Sequence, residues 1–174
     1  VSSPENLVLV DANDRRTGVA EKMECHVGDG LLHRAFSVFI YGPDGRVLLQ
    51  QRSAAKPLWP LYWSNACCGH PRPGEAVRRA ARRRTREEFG IDCQPRFLYK
   101  FRYQARYSEH LSEHELCHVF ESDHGGDLNP DPAEIAAWRW VAPDALTREV
   151  ESHPERFSPW MKLEWAEIHR RNRS

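Results

Sequence analysis

The stretch Ser64-Asn-Ala-Cys-Cys-Gly-His-Pro71, with Glu75 to Gly90 after it, decides how this chain is read. The first run sets a thiol, a small hinge residue and an imidazole side by side. The second predicts a helix over 75–89, stopped at Gly90 by a glycine C-cap. With Val77 as origin, Ala81, Arg84 and Glu88 fall four, seven and eleven residues on, within one stripe of a 3.6-residue helix. The stripe begins apolar and ends charged, so one face runs from a core into a polar cavity, with Glu87 on an adjacent face. A Glu beside an Arg in such a cavity suits a metal-bridged phosphate, because metal and guanidinium neutralise the oxygens together. A solvated, Arg-rich helix held by i,i+4 ion pairs is the alternative the helix alone leaves open.

Upstream, Leu7 to Val10 reads as a strand stopped by the turn cluster Asp11-Ala-Asn-Asp14, and 16–18 as a continuing loop. Ala35 to Tyr41 is a strand, Gly42-Pro-Asp-Gly45 a hairpin turn, and Val47 to Arg52 the return strand. That hairpin brings His33 and Arg52 to one end of a sheet. Lys56 to Trp63 is an aromatic loop with two prolines. Downstream, strands are expected over 98–107, 115–122 and 135–141, with a short helix over 144–151. Ser158 reads as an N-cap before Pro159, opening a helix with Met161, Trp165 and Ile168 on one stripe. Strands in runs with two or three helices give an α+β, mixed-sheet domain spanning 1–174 as one unit.

Composition bounds the partners. The chain has 174 residues, 25 basic and 25 acidic, so no global field favours nucleic acid or an anionic membrane. The six Arg between Arg78 and Arg86 spread around their helix, and only a subset can face one ligand. Five Cys form no disulfide framework, no secretory leader is visible, and no apolar stretch approaches membrane-spanning length. The expectation is a soluble, cytoplasmic monomer. The chain starts at Val1, which leaves an earlier native segment open.

Glu113 and Glu115 stand two apart at the entrance of a strand, which points both carboxylates to one side. With His26, His33 and His70 they offer three imidazoles and two carboxylates. That donor set fits Mn²⁺, Mg²⁺ or Zn²⁺, the imidazoles biasing it toward a transition metal. His110, His114, His118 and His124 read as surface or locally hydrogen-bonded. Cys25 and Cys117 read as packing residues, and Cys93 as a surface or edge thiol. A thiol beside a flexible glycine and a carboxylate tied to a cation can each carry a proton, and spacing does not choose between Cys67 and Cys68.

Taken together, His26-x6-His33, Ser64-Asn65-x-x-Cys68-Gly69-His70-Pro71, Phe101-Arg-Tyr103, Glu113-x-Glu115 and Phe157-Ser-Pro-Trp-Met161 resemble type I isopentenyl-diphosphate isomerase. Gly69, Glu75, Arg83, Glu87, Glu88 and Gly90 match the spacing of the Nudix box, except that Arg84 stands where the box has a Glu. The resemblance runs from Leu7 to about Trp165. It implies a Nudix-like mixed sheet sandwiched by helices, with Cys68 and Glu115 as the proton donor–acceptor pair and Tyr103 positioning Glu115. It also implies one ion (Mn²⁺, Zn²⁺ or Mg²⁺) on His26, His33, His70, Glu113 and Glu115. Glu88 would reach a second Mg²⁺ bound through the diphosphate. Lys22, Arg52, Lys56 and Arg84 would pair with that diphosphate, and Trp160 would face the carbon skeleton. The thiol that directly precedes Gly-His is the family's, which favours Cys68 over Cys67.

The implied reaction interconverts isopentenyl and dimethylallyl diphosphate, the small-molecule substrates of isoprene biosynthesis. Moving a double bond by one carbon needs a proton added at one end and one removed at the other, through a tertiary carbocation. Water must be excluded, or it traps the cation as an alcohol. A desolvated indole face contributes about 2 kcal/mol to holding such a cation. Replacing a box Glu by Arg84 keeps phosphate affinity and weakens a hydrolytic metal site. The alternatives are a Nudix pyrophosphohydrolase on a nucleoside or prenyl diphosphate and a non-catalytic metal- or phosphate-binding module.

Overall fold

A computed structural model describes residues 5–174. The sheet is mixed and centred on strand β3 (His33–Tyr41), which β8 (Ser112–Asp123) joins in parallel over its whole length, from His33 opposite Glu115 to Tyr41 opposite Asp123. Strand β7 (Arg96–Arg106) pairs antiparallel with β8 on its other side. Strand β4 (Val47–Arg52) leaves β3 directly after the Gly42–Gly45 turn, pairing there only at Val47. It is held instead by β5 (Trp63–Asn65) and β9 (Ile135–Val141). The short β6 (Cys67–Gly69) returns to β3 and sets Cys68 opposite Ser37. Strand β1 (Asn6–Val10) and strand β2 (Arg16–Glu21) form a hairpin at the edge.

Residues of β3 alternate between two cores, as the period of two requires. Phe36, Val38 and Ile40 pack with Ala80, Ala81 and Phe89 of helix α2 (Val77–Phe89). Ala35 and Phe39 face the other way, toward Met161, Trp165 and Ile168 of helix α4 (Pro159–Asn172). Those three α4 side chains are buried, each stabilising the fold by about 1.5–3 kcal/mol relative to exposure. Helices thus lie on both faces of a mixed sheet, the α+β architecture expected. Two more helices are present, α1 (Lys22–His26) and α3 (Pro143–Ser152), making four among the described residues rather than two or three.

Several local expectations are corrected. Residues 16–18 belong to β2 rather than a loop: the β1 partner supplies ladder bonds that local turn chemistry does not reveal. Helix α2 begins at Val77, and Glu75 precedes it, its carboxylate accepting from the Arg72 amide at 2.9 Å and from Arg83 at 2.8 and 2.9 Å. Ser158 makes no side-chain cap, because its hydroxyl is hydrogen-bonded to Ser64 at 3.0 Å. Cys93 is buried in the α2-side core, not at the surface. Strands β3, β7 and β8 start two or three residues earlier than the residue pattern suggests, which puts His33 and Glu113 inside the sheet.

Candidate active site

Twelve of the thirteen residues singled out from sequence line one cavity of about 430 Å³; the exception, His33, is fully buried behind it. The sheet explains the convergence. Glu115 faces His33 across β3–β8 and Tyr103 across β7–β8, so all three side chains share a face, and Glu113 joins them two residues along β8. His26 arrives at the end of α1, and His70 directly follows β6.

One ligand atom from each of His26, His33, His70, Glu113 and Glu115 lies within 4.8 Å of every other. His26 Nδ1 is fixed on the Lys22 carbonyl at 2.6 Å and His33 Nδ1 on the Leu31 carbonyl at 2.7 Å. Both rings therefore carry a proton on Nδ1 and aim Nε2 inward, that of His26 hydrogen-bonded to the Glu113 carboxyl at 3.0 Å. His33 Nε2 is buried with no hydrogen-bond partner, 3.6 Å from Glu115 and 3.9 Å from Glu113. A buried acceptor without a donor is costly unless a cation takes the lone pair, so this donor set fits a divalent metal. Burial, and then the Glu115 charge, push the Glu113 carboxyl up to about 7. Burial also works against ionising Glu115, but the neighbouring His33 ring and the hydrogen bond from His70 outweigh it and hold that carboxyl well below its usual range. Burial brings His70 down to about 4. The neutral, lone-pair-bearing imidazole is the form a metal requires.

Cys68 sits on the same face. Its thiol donates to Asn65 Oδ1 at 2.9 Å, and the Asn65 amide is oriented by donating to the Val38 and Cys67 carbonyls at 3.1 and 2.9 Å. The Trp160 indole N–H points at the sulfur (3.1 Å) and at Ser64 Oγ (3.0 Å). Burial pushes the thiol up to about 12, so Cys68 is protonated at rest. Cys67 points instead into the α2-side core, which removes it as a rival. Gly69 is required by close approach: a Cβ there would lie 2.9 Å from the Phe36 ring. Tyr103 donates to Glu115 Oε2 at 2.8 Å, and its ring lies 6.5 Å from that of Trp160. A continuous wall, Cys68–Trp160–Tyr103–Glu115, thus links thiol and carboxylate.

At the other end three of the four cations are held by the chain's own carboxylates. Lys22 pairs with Glu5 at 2.8 Å and Lys56 with Glu134. Arg84 bonds Glu88 at 2.8 Å, Glu134 at 3.2 Å and also Glu87. Glu88 is buried and also accepts from Gln50 at 3.0 Å. Arg52 donates to the Leu58 and Trp59 carbonyls at 2.9 and 3.0 Å and lies 5.0 Å over the Trp160 ring, occupying one indole face. Sequence reasoning missed Glu134, whose partners are set by the approach of β9 to the 53–62 loop. It also missed Glu164, which stands three after Met161 and four before Ile168, on the buried stripe of α4. A lone acid in that stripe was the available signal.

A model of the NUDIX domain matches residues 31–161. The isopentenyl-diphosphate Delta-isomerase 1 of Photorhabdus laumondii is 43% identical over 166 residues, covering 94% of each chain. That of Burkholderia multivorans is 46% identical over 156 residues, 90% of this chain and 88% of its own. Among solved structures, DR0079 from Deinococcus radiodurans superposes with a TM-score of 0.70 at 20% identity, over 86% of this chain and 90% of its own. The MutT protein from Methanosarcina mazei superposes with a TM-score of 0.69 at 17% identity, over 82% of this chain and 96% of its own. These two share the fold.

Proposed function

The chain belongs to the NUDIX-domain isopentenyl-diphosphate Delta-isomerases, and from that membership we propose how its own residues carry the reaction. The enzyme interconverts isopentenyl and dimethylallyl diphosphate. Cys68 and Glu115 are the two proton carriers, facing opposite ends of the migrating double bond. The observation that carries this reading is their shared wall: a protonated thiol and an ionised carboxylate line one cavity, joined through Trp160 and Tyr103. In the resting chain the proton is on sulfur, so Cys68 delivers it to the terminal methylene and Glu115 takes one from C2. Two proton transfers with no net change match an isomerisation. The positive charge between them is shielded from water by Trp160, Leu58 and Tyr103, and Trp160 offers it an aromatic face.

His26, His33, His70, Glu113 and Glu115 would hold one divalent ion (Mn²⁺, Zn²⁺ or Mg²⁺), which supplies positive charge that keeps Glu115 ionised and fixed. Lys22, Arg52, Lys56 and Arg84 bind the diphosphate, Lys22, Lys56 and Arg84 exchanging their internal carboxylates for it. Glu88 would help hold a Mg²⁺ that accompanies the diphosphate and neutralises its charge. Arg84 occupies the place of a box Glu, which suits gripping a diphosphate rather than activating water against it. We propose that the chain works as one domain, as a cytoplasmic monomer. The five free cysteines suit a reducing compartment.

The test is turnover of isopentenyl diphosphate by Cys68→Ala and Glu115→Gln, with diphosphate affinity measured by calorimetry on the same samples. Both variants should lose isomerisation by at least about 10³-fold while still binding a non-isomerisable alkyl diphosphate. Retained turnover in either, or inorganic phosphate released by the wild type, would contradict the assignment.

A further inference from the structure

Behind Cys68, on the side away from the cavity, Glu164 of α4 is fully buried. Its Oε2 has no hydrogen-bond partner, and its Oε1 accepts from the Cys117 thiol at 3.5 Å. The Ser37 hydroxyl and the same carboxyl flank the Cys117 thiol from two sides, each at 3.5 Å. Ser37 Oγ in turn lies 3.6 Å from Cys68 Sγ and 3.5 Å from Cys117 Sγ. The groups facing Glu164 are the Cys117 thiol on β8, the Cys68 thiol on β6 and, farther off, the Glu115 carboxylate. From β7, Tyr99 donates to its backbone carbonyl at 3.1 Å. None of the charged groups acting on it is basic. A buried acid with an unpartnered oxygen and no cation is stable only when neutral.

A neutral carboxyl is a donor, and Ser37 has one proton to direct. If Glu164 donates to Ser37 Oγ, the Ser37 O–H is free to turn to Cys68. If Glu164 is ionised, it draws that O–H to itself, and its charge repels a thiolate. We propose that Glu164 is a positioning residue for the isomerisation: as the neutral acid it donates to Ser37 and turns that hydroxyl toward the Cys68 sulfur, stabilising the thiolate left when the proton moves to substrate. No proton leaves Glu164 in the cycle. It sets the direction of a hydrogen bond, and Cys68 alone exchanges a proton with the substrate. The inference rests on Cys68 being a proton carrier, as proposed above.

Burial pushes the Glu164 carboxyl up to about 8, so the arrangement is in place at neutral pH and is lost above it. The experiment is the pH profile of kcat from 6 to 10 for the wild type, Glu164→Gln, Ser37→Ala and the double variant. Wild-type kcat should fall about tenfold per pH unit above 8. In Glu164→Gln, whose amide still donates but does not titrate, kcat at pH 7 should drop about threefold and the alkaline limb should vanish. In the Ser37→Ala background, changing Glu164 should alter the profile less than it does with Ser37 present, because only the repulsion by its charge is left. An alkaline limb that persists in Glu164→Gln, or one that depends on Glu164 as strongly without Ser37, would overturn the proposal. Cys68→Ala separates the two readings. Wild-type turnover in that variant would sink the carrier assignment and this inference with it, whereas an inactive Cys68→Ala beside a Glu164→Gln that keeps its limb would sink this inference alone.

Discussion

At the scale of single residues the site depends on who donates to whom. Tyr103 holds Glu115 through a buried, charge-assisted hydrogen bond of 2.8 Å, and such bonds contribute about 1.5–3 kcal/mol. Tyr103→Phe is expected to lower kcat about 10- to 100-fold with little change in KM, because the lost contact is at the carrier and not at the diphosphate. Steady-state kinetics at saturating substrate decide it, and a change confined to KM would contradict the role. Gly69→Ala should fold yet lose activity, since its new Cβ would drive against Phe36 and displace the Cys68 and His70 that flank it. Circular dichroism beside the kinetics separates those two effects. The residues that converge on the cavity, and the His/Glu cluster that could hold a metal, were legible from residue type and motif. Their partners were not. Pairing of Lys56 with Glu134, or of Arg52 with the Trp160 ring, comes from tertiary approach that no local pattern encodes.

At the scale of elements, α2 illustrates both what sequence carries and what it omits. Its apolar-to-charged stripe and its glycine stop are local features, and both are present: Ala81 and Glu88 are buried, and Gly90 ends the helix in the left-handed region at φ 70°. Gly90→Ala should cost about 1–2 kcal/mol, from the αL conformation and from a Cβ set 3.0 Å from Asn129. For a chain of this size that corresponds to a Tm lower by roughly 2–8 °C in a calorimetric scan. An unchanged Tm would mean that the helix end relaxes. The start of α2 was misread by two residues because Glu75 is spent on Arg83 and the Arg72 amide and not on a helical turn. Strand β2 was missed because its residues alternate between exposed and half-buried at an edge, where no core face marks them.

At the scale of the whole molecule, the sheet is an assembly around β3, and its parallel pairing with β8 and antiparallel pairing with β6 bring His33, Glu115, Ser37 and Cys68 onto one face. That topology follows from long-range pairing, so sequence gave the class and the resemblance gave the layers, while the register came only with coordinates. Burying Glu164 also links global stability to pH. Its folded pKa, about 8, lies above the ordinary 4.5, so the folded chain keeps a proton that the unfolded chain releases. Stability from this group is fully present below pH 4.5 and declines as pH rises to 8, by a loss on the order of a few kcal/mol. Urea denaturation at pH 5 and pH 8 should show that decline in the wild type and a smaller one in Glu164→Gln; equal declines would place its origin elsewhere.

The most direct test of the central claim is deuterium exchange, followed by proton NMR, of isopentenyl diphosphate in D₂O with Mg²⁺ and the wild type, Cys68→Ala or Glu115→Gln. The wild type should place deuterium at both C2 and C4 as the two isomers equilibrate, and each variant should abolish incorporation at both carbons. Deuterium entering either carbon at the wild-type rate in either variant would show that these two side chains are not the opposed proton carriers.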